Sequence, residues 1–279
     1  MVLPSWYTRK DDPPIPLVIS PHGRGVSGRA NARLWGTLPA QGGFAVVSPA
    51  GEGRKLSRYS WGSLGQIDDL ARMPVIVHLA LPWLHVDTHR VYAIGGSMGG
   101  QETLLLLARH PRMLAGAAAF DAVTRLALQY RRFVRMPCDR ACRKTWNGPL
   151  GVALQSLARQ EIGGSPRTRP LAYVERSPYT YARTIAASCV PLQLWWSTKD
   201  RIVADQRMQS AALYERIRQL NARAPVSAFV GSWRHSAEMR ARLPAALAGF
   251  GLLPTLDRTW LRQLHVFDGP DASDCRAGI

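Results

Sequence analysis

The chain has 279 residues, 46% of them hydrophobic, with Gly and Pro spread along it at no short period. This excludes fibrous, low-complexity and repeat architectures and suits one large domain carrying an insertion. Net charge is +17, and only four of the 36 basic residues are lysines. They are scattered without a nucleic-acid motif, so a solvated, arginine-biased surface is expected and no nucleic-acid partner.

The apolar stretches at 75–84 and 245–253 fall short of the roughly 20 residues that span a bilayer, so no membrane span is expected. The first 20 residues carry Arg9, Lys10, Asp11 and Asp12 and no apolar core of a signal peptide. As written, the chain is expected in the cytoplasm, with secretion from a longer precursor left open. Cys138, Cys142, Cys189 and Cys275 lack the paired close spacings of a zinc site. Reduced thiols are the expectation, with a local Cys138–Cys142 disulfide if the protein is exported.

In chain order, short apolar runs at 15–20, 44–48, 90–95, 114–120, 191–197 and 226–230 read as strands. Stretches of helical period at 28–39, 64–81, 98–109, 203–221 and 234–250 separate most of them. That alternation is the pattern of a mostly parallel sheet with helices on both faces, an α/β fold. The interval 122–188 is far longer than one crossover needs. Its amphipathic stretches at 123–134, 150–161 and 179–187 predict an inserted helical cap or lid on a single domain spanning 1–279. One further helix is expected near 255–264, before a polar, fraying end.

Gly95-Gly-Ser97-Met-Gly99 stands directly after a strand and directly before a helical run, the context that gives a Gly-x-Ser-x-Gly motif its chemical meaning. The serine sits on a sharp, strained turn, the glycines leave room for it, and the amide of Met98 lies at a helix N-terminus where it can donate to an oxyanion. A serine hydroxyl needs a histidine to take its proton and a carboxylate to orient that histidine. His235 follows the 226–230 strand by a short loop and is the expected base; His265, in the tail, suits a packing or surface role. Asp200, just past the 191–197 strand, is the expected acid, with Asp121 as the alternative one strand earlier and Asp205 read as a helix-start charge. The second oxyanion donor is expected from the loop His22-Gly23-Arg24, through the amide of Arg24 or of Gly23. His22 itself is expected to support that loop.

Pro21-His-Gly23, Gly95-Gly-Ser97-Met-Gly-Gly100, Asp200-Arg-Ile-Val203 and His235 together resemble the catalytic domain of the prolyl-oligopeptidase (S9) and dienelactone-hydrolase branch of the α/β-hydrolase superfamily, over about residues 15–250. The resemblance implies a serine hydrolase that needs no cofactor and no metal, cleaving a small-molecule or polymer ester through a Ser-Asp-His triad. The alternatives are a serine peptidase or amidase of the prolyl-oligopeptidase type and a noncatalytic binding protein on the same fold. Only about 14 residues precede the first strand, with no β-propeller, which favours the esterase. The start also departs from a full eight-stranded sheet, leaving an edge for residues 2–7 to cover.

Trp35, Trp61, Trp146, Trp195, Trp196 and Trp233 include candidates for an aromatic acyl pocket, chiefly Trp233 and Trp61, although core packing is the commoner role. An anionic substrate drawn in by Arg24, Arg131, Arg132 or Arg135 is a narrower expectation.

Overall fold

A computed structural model describes residues 1–8, 12–50, 61–145, 147–235, 239–254 and 264–276. Among the described residues seven strands form one sheet: β1 (Ile15–Ile19), β2 (Ala45–Val47), β3 (Val86–Gly96), β4 (Gly116–Phe120), β5 (Leu192–Ser197), β6 (Val226–Gly231) and β7 (His265–Phe267). Their order is β2-β1-β3-β4-β5-β6-β7, and only β7 runs antiparallel to its neighbour. At the β2 edge, Val2 makes an antiparallel bridge to Val46.

The alternation of side chains along a strand sends successive residues into two different cores. Ala117, Ala119, Leu194 and Trp196 face one; Ala118, Phe120 and Trp195 face the other. Burial on both faces is why these strands read as unbroken apolar runs. On the first face pack α3 (Leu64–Ala71), α5 (Met98–Arg109), α10 (Ala182–Ala187) and α11 (Ser210–Leu220). On the second lies α12 (Met239–Gly249), with Trp35 and Phe44.

Several expected helices are shorter or divided. The 28–39 stretch forms α1 (Gly28–Ala32) and a 3-10 turn before α2 (Leu38–Gly42). The 64–81 stretch breaks at Arg72 into α3 and α4 (Met73–Ala80), where Pro74 in the first turn of α4 has no N–H to continue α3. The 203–221 stretch gives α11 only from Ser210, after Asp205 turns the backbone to φ +65°.

Between β4 and β5 the chain forms α6 (Leu126–Arg132), α7 (Arg140–Thr145), α8 (Leu150–Ile162), α9 (Pro170–Glu175) and α10. Leu126, Tyr130, Phe133, Leu154, Ala158 and Tyr173 build an apolar cluster with Met98, Val123 and Val203, residues just past the carboxyl ends of β3, β4 and β5.

The tail departs from expectation. Apart from Leu264, the helix expected at 255–264 lies outside the described residues, and β7 and α13 (Ala272–Arg276) follow it. The expectation of reduced thiols is overturned: Cys138 is bonded to Cys142 and Cys189 to Cys275. The second pair is 86 residues apart in sequence, and only the return of the tail along β6 brings the two together. Among the described residues no helix is long and apolar enough to cross a membrane.

Candidate active site

From β1 the chain turns to β2 on one side and then crosses to β3 on the other. In an open α/β sheet this reversal leaves a crevice at the carboxyl ends of the two strands. The loop Pro21-His22-Gly23 leaves β1 there, and Ser97 leaves β3.

Ser97 has φ +58° and ψ −122°, a strained conformation for a residue with a side chain. Its N–H donates to Phe120 O at 2.8 Å, tying the turn to β4. Two glycines make the turn possible. A Cβ on Gly95 would lie 2.5 Å from Gly99 O, and one on Gly99 would lie 2.3 Å from Pro21 O. Met98 is the first residue of α5, so its amide has no intrahelical partner and sits at the positive end of the helix dipole.

The β1 loop lies against this turn: a Cβ on Gly23 would be 3.8 Å from Ser97 Cβ and from Gly96 O. His22 is buried, its ring nitrogens facing Ala50 O at 2.6 Å and Gly23 O at 2.9 Å, which ties down the loop. The guanidinium of Arg24 is committed elsewhere, in an ion pair with the buried Glu161 on α8 and over the Trp61 ring at 5.3 Å.

His235 Nδ1 donates to Asp200 Oδ2 at 2.8 Å, leaving Nε2 as the basic nitrogen. Asp200 is buried and its other contacts also come from donors: Ile202 N at 2.8 Å, Val203 N at 3.1 Å and Gln206 Nε2 at 3.2 Å. A carboxylate held on both oxygens presents His235 in one tautomer and one orientation. Among the described residues no hydrogen bond joins Ser97 Oγ to His235. Such bonds often tighten only when substrate binds.

Asp121, weighed as the alternative acid, lies beside this pair. One ligand atom each of Asp121, Asp200 and His235 falls within 4.8 Å of the others. Its carboxylate has different work: Oδ1 accepts from Ser197 N at 2.9 Å and Oδ2 from the Trp233 indole at 2.8 Å. Ser197 Oγ in turn accepts from Trp233 N at 2.8 Å and donates to Trp233 O. The carboxyl ends of β4 and β5 thereby grip the loop that carries His235. This donor set is a hydrogen-bonded brace rather than a cation cage. Sequence reading missed the brace; the one signal for it was the position of Asp121 and Ser197 at neighbouring strand ends.

The tryptophans expected to line a pocket are otherwise occupied. Trp233 is 4% exposed, bonded to Asp121 and covered by Arg242. Trp61 is 3% exposed and packs on Phe133. Trp35 and Trp195 are core residues, as is Trp196; Trp146 lies outside the described residues. Of the arginines expected to attract an anion, Arg132 is paired with Asp205, while Arg131 and Arg135 lie exposed on the insertion. A cavity of about 790 Å³ does open beside His235 and Asp200, walled by Lys199, Arg201, Ile202, Arg234 and Pro137.

No family model and no curated protein matches the sequence, but solved structures match the fold. An acylaminoacyl peptidase from Pyrococcus horikoshii superposes with a TM-score of 0.63 at 16% identity, covering 98% of this chain. The fold is that of the α/β-hydrolases. A puromycin-hydrolysing peptidase from Mycobacterium tuberculosis (TM-score 0.60, 18% identity, 88% of this chain) and an S-formylglutathione hydrolase from Staphylococcus aureus (0.61, 14%, 89%) share it. The chain spans 41% and 35% of the two peptidases but 90% of the S-formylglutathione hydrolase. Ser97 lies on a strand-to-helix turn, between β3 and α5.

Proposed function

We propose that this chain is a serine hydrolase that cleaves carboxylic esters, with Ser97 as nucleophile, His235 as general base and acid, and Asp200 orienting His235. The observation that carries this reading is the His235–Asp200 hydrogen bond of 2.8 Å, formed at the same sheet edge as a serine held at φ +58°. Ser97 Oγ attacks the ester carbonyl as its proton passes to His235 Nε2. The tetrahedral oxyanion is received by the Met98 amide and by an amide of the Gly23-Arg24 turn. His235 then protonates the leaving alcohol, and water repeats the cycle on the acyl-enzyme. Segment 122–188 acts as a cap, a reading supported by its apolar cluster with Met98 and Val203.

Amide or peptide cleavage by the same residues is the second reading, favoured by the peptidases among the structural neighbours. Two disulfides favour an oxidising compartment over the cytoplasm.

The test is hydrolysis of p-nitrophenyl acetate and butyrate, beside aminoacyl p-nitroanilides, by wild type and Ser97→Ala. Ser97-dependent ester turnover supports the esterase; turnover of anilides alone supports the peptidase. No turnover and no fluorophosphonate labelling of the folded wild type would sink both.

A further inference from the structure

The cavity beside His235 has a one-sided charge. Three of its walls are cationic: Lys199 and Arg201 flank Asp200 after β5, and Arg234 precedes His235 after β6. Among the described residues none of the three has a carboxylate within ion-pair distance, whereas Arg24, Arg72, Arg109 and Arg132 each have one. The carboxylate in the described lining is that of Asp200, already held by four donors. The other residues in the described lining besides His235 are the apolar Pro137 and Ile202 and the hydroxyl-bearing Thr198. A chain of net charge +17 has unpaired cations over much of its surface. These three, though solvent-exposed, differ in lining a half-open cavity shared with the base.

We propose that this cavity is an anion subsite for the leaving-group half of the substrate, and that preferred esters carry an acidic group on the alcohol side. The side follows from the chemistry. His235 delivers its proton to the departing alcohol oxygen, so the alcohol must lie against the imidazole, and His235 is one of the residues lining this cavity. A volume of about 790 Å³ falls in the size range of small-molecule sites. The loop is stiffened where it matters, since Lys199 N donates to Ser197 Oγ at 3.0 Å and Asp200 caps Ile202 and Val203. The arginines that sequence reading singled out are a different set. Arg24 and Arg132 are neutralised by Glu161 and Asp205.

The proposal rests on the hydrolase reading for its substrate but not for its anion site, and the experiment separates the two. Two butyrate esters are compared, one of 3-hydroxybenzoate and one of 3-hydroxybenzamide, whose leaving groups differ chiefly in charge. The expected result is a kcat/KM ratio of roughly tenfold in favour of the carboxylate at low ionic strength, shrinking several-fold by about 0.5 M salt as screening sets in. In Lys199→Gln/Arg201→Gln/Arg234→Gln the ratio falls toward one. Both esters meet the same variant, so any damage to the catalytic groups cancels in the ratio. A wild-type ratio near one, or a ratio the triple substitution leaves intact, overturns the proposal. If neither ester is turned over, the esterase reading has failed while the anion site is still open to test. Calorimetric binding of 3-hydroxybenzoate and 3-hydroxybenzamide then decides the subsite. Tighter binding of the acid, lost in the triple variant, upholds it, and equal binding of the two overturns it.

Discussion

The Trp233 indole, two positions before His235, donates to Asp121 Oδ2 at 2.8 Å across 112 residues of sequence. Both side chains are buried, Asp121 completely. Trp233→Phe removes the donor and leaves a desolvated carboxylate oxygen without it, at a cost of about 1–3 kcal/mol. Urea unfolding checks that figure. Because the same loop carries His235, fluorophosphonate labelling of Ser97 is expected to slow by about tenfold or more in Asp121→Asn. Unchanged labelling would remove Asp121 from any role in positioning the base.

His235→Ala and Ser97→Ala are each expected to lower ester hydrolysis by at least about 10³-fold, because members of such a unit act together. Asp200→Asn keeps the size of the side chain but offers an amide where Nδ1–H needs an acceptor. Its rate is expected to fall by about 10³–10⁴-fold. Single-turnover kinetics with near-UV circular dichroism on each variant separates lost chemistry from lost structure.

Gly99→Ala is predicted to be among the most damaging changes of one methyl group. Its Cβ would meet backbone, Pro21 O at 2.3 Å and Pro21 C at 2.8 Å, and neither can rotate away. The β1 loop and the Ser97 turn would have to separate. A loss of more than about 3 kcal/mol is expected, with Ser97 labelling falling in the fraction that still folds. Wild-type stability in this variant would show that the two loops are not held in contact.

Burial pushes the Glu102 carboxyl from an ordinary 4.5 up to about 8. Gln66 Nε2 donates to its Oε1 at 2.7 Å. Gln66 Oε1 is itself buried and without a partner among the described residues. Between these pH values the folded chain holds a proton that the unfolded chain lacks, so this group makes stability fall as pH rises from about 4.5 to about 8. The fall is on the order of a few kcal/mol. In Glu102→Gln the slope is expected to flatten across that window; equal slopes in urea titrations at pH 5 and pH 8 would refute the assignment.

The two disulfides differ in the loops they close, with sequence separations of 4 and 86. In the chain-entropy account the longer loop stabilises more, typically about 2–4 kcal/mol. Cys189→Ser/Cys275→Ser is therefore expected to lower the urea midpoint clearly, and Cys138→Ser/Cys142→Ser only slightly. Alkylation of the purified, unreduced protein should find no reactive thiol.

What the chain declared in its own order was everything that depends on a few consecutive residues. The elbow around Ser97 is legible because its strain and its glycines lie within five positions. The strands are legible because burial on both faces forces a continuous apolar run. Asp200 is the acid expected from sequence and Asp121 the alternative because each follows a strand end, and a sequence does not say which way a distant loop will arrive. In the tertiary structure adjacent strands set both carboxylates at one edge, and the loop from β6 presents His235 to Asp200 and Trp233 to Asp121. The Cys189–Cys275 bond, the β7 edge and the Arg24–Glu161 contact share that origin. Each joins groups brought together by packing, and packing is a property of the whole sheet rather than of any segment.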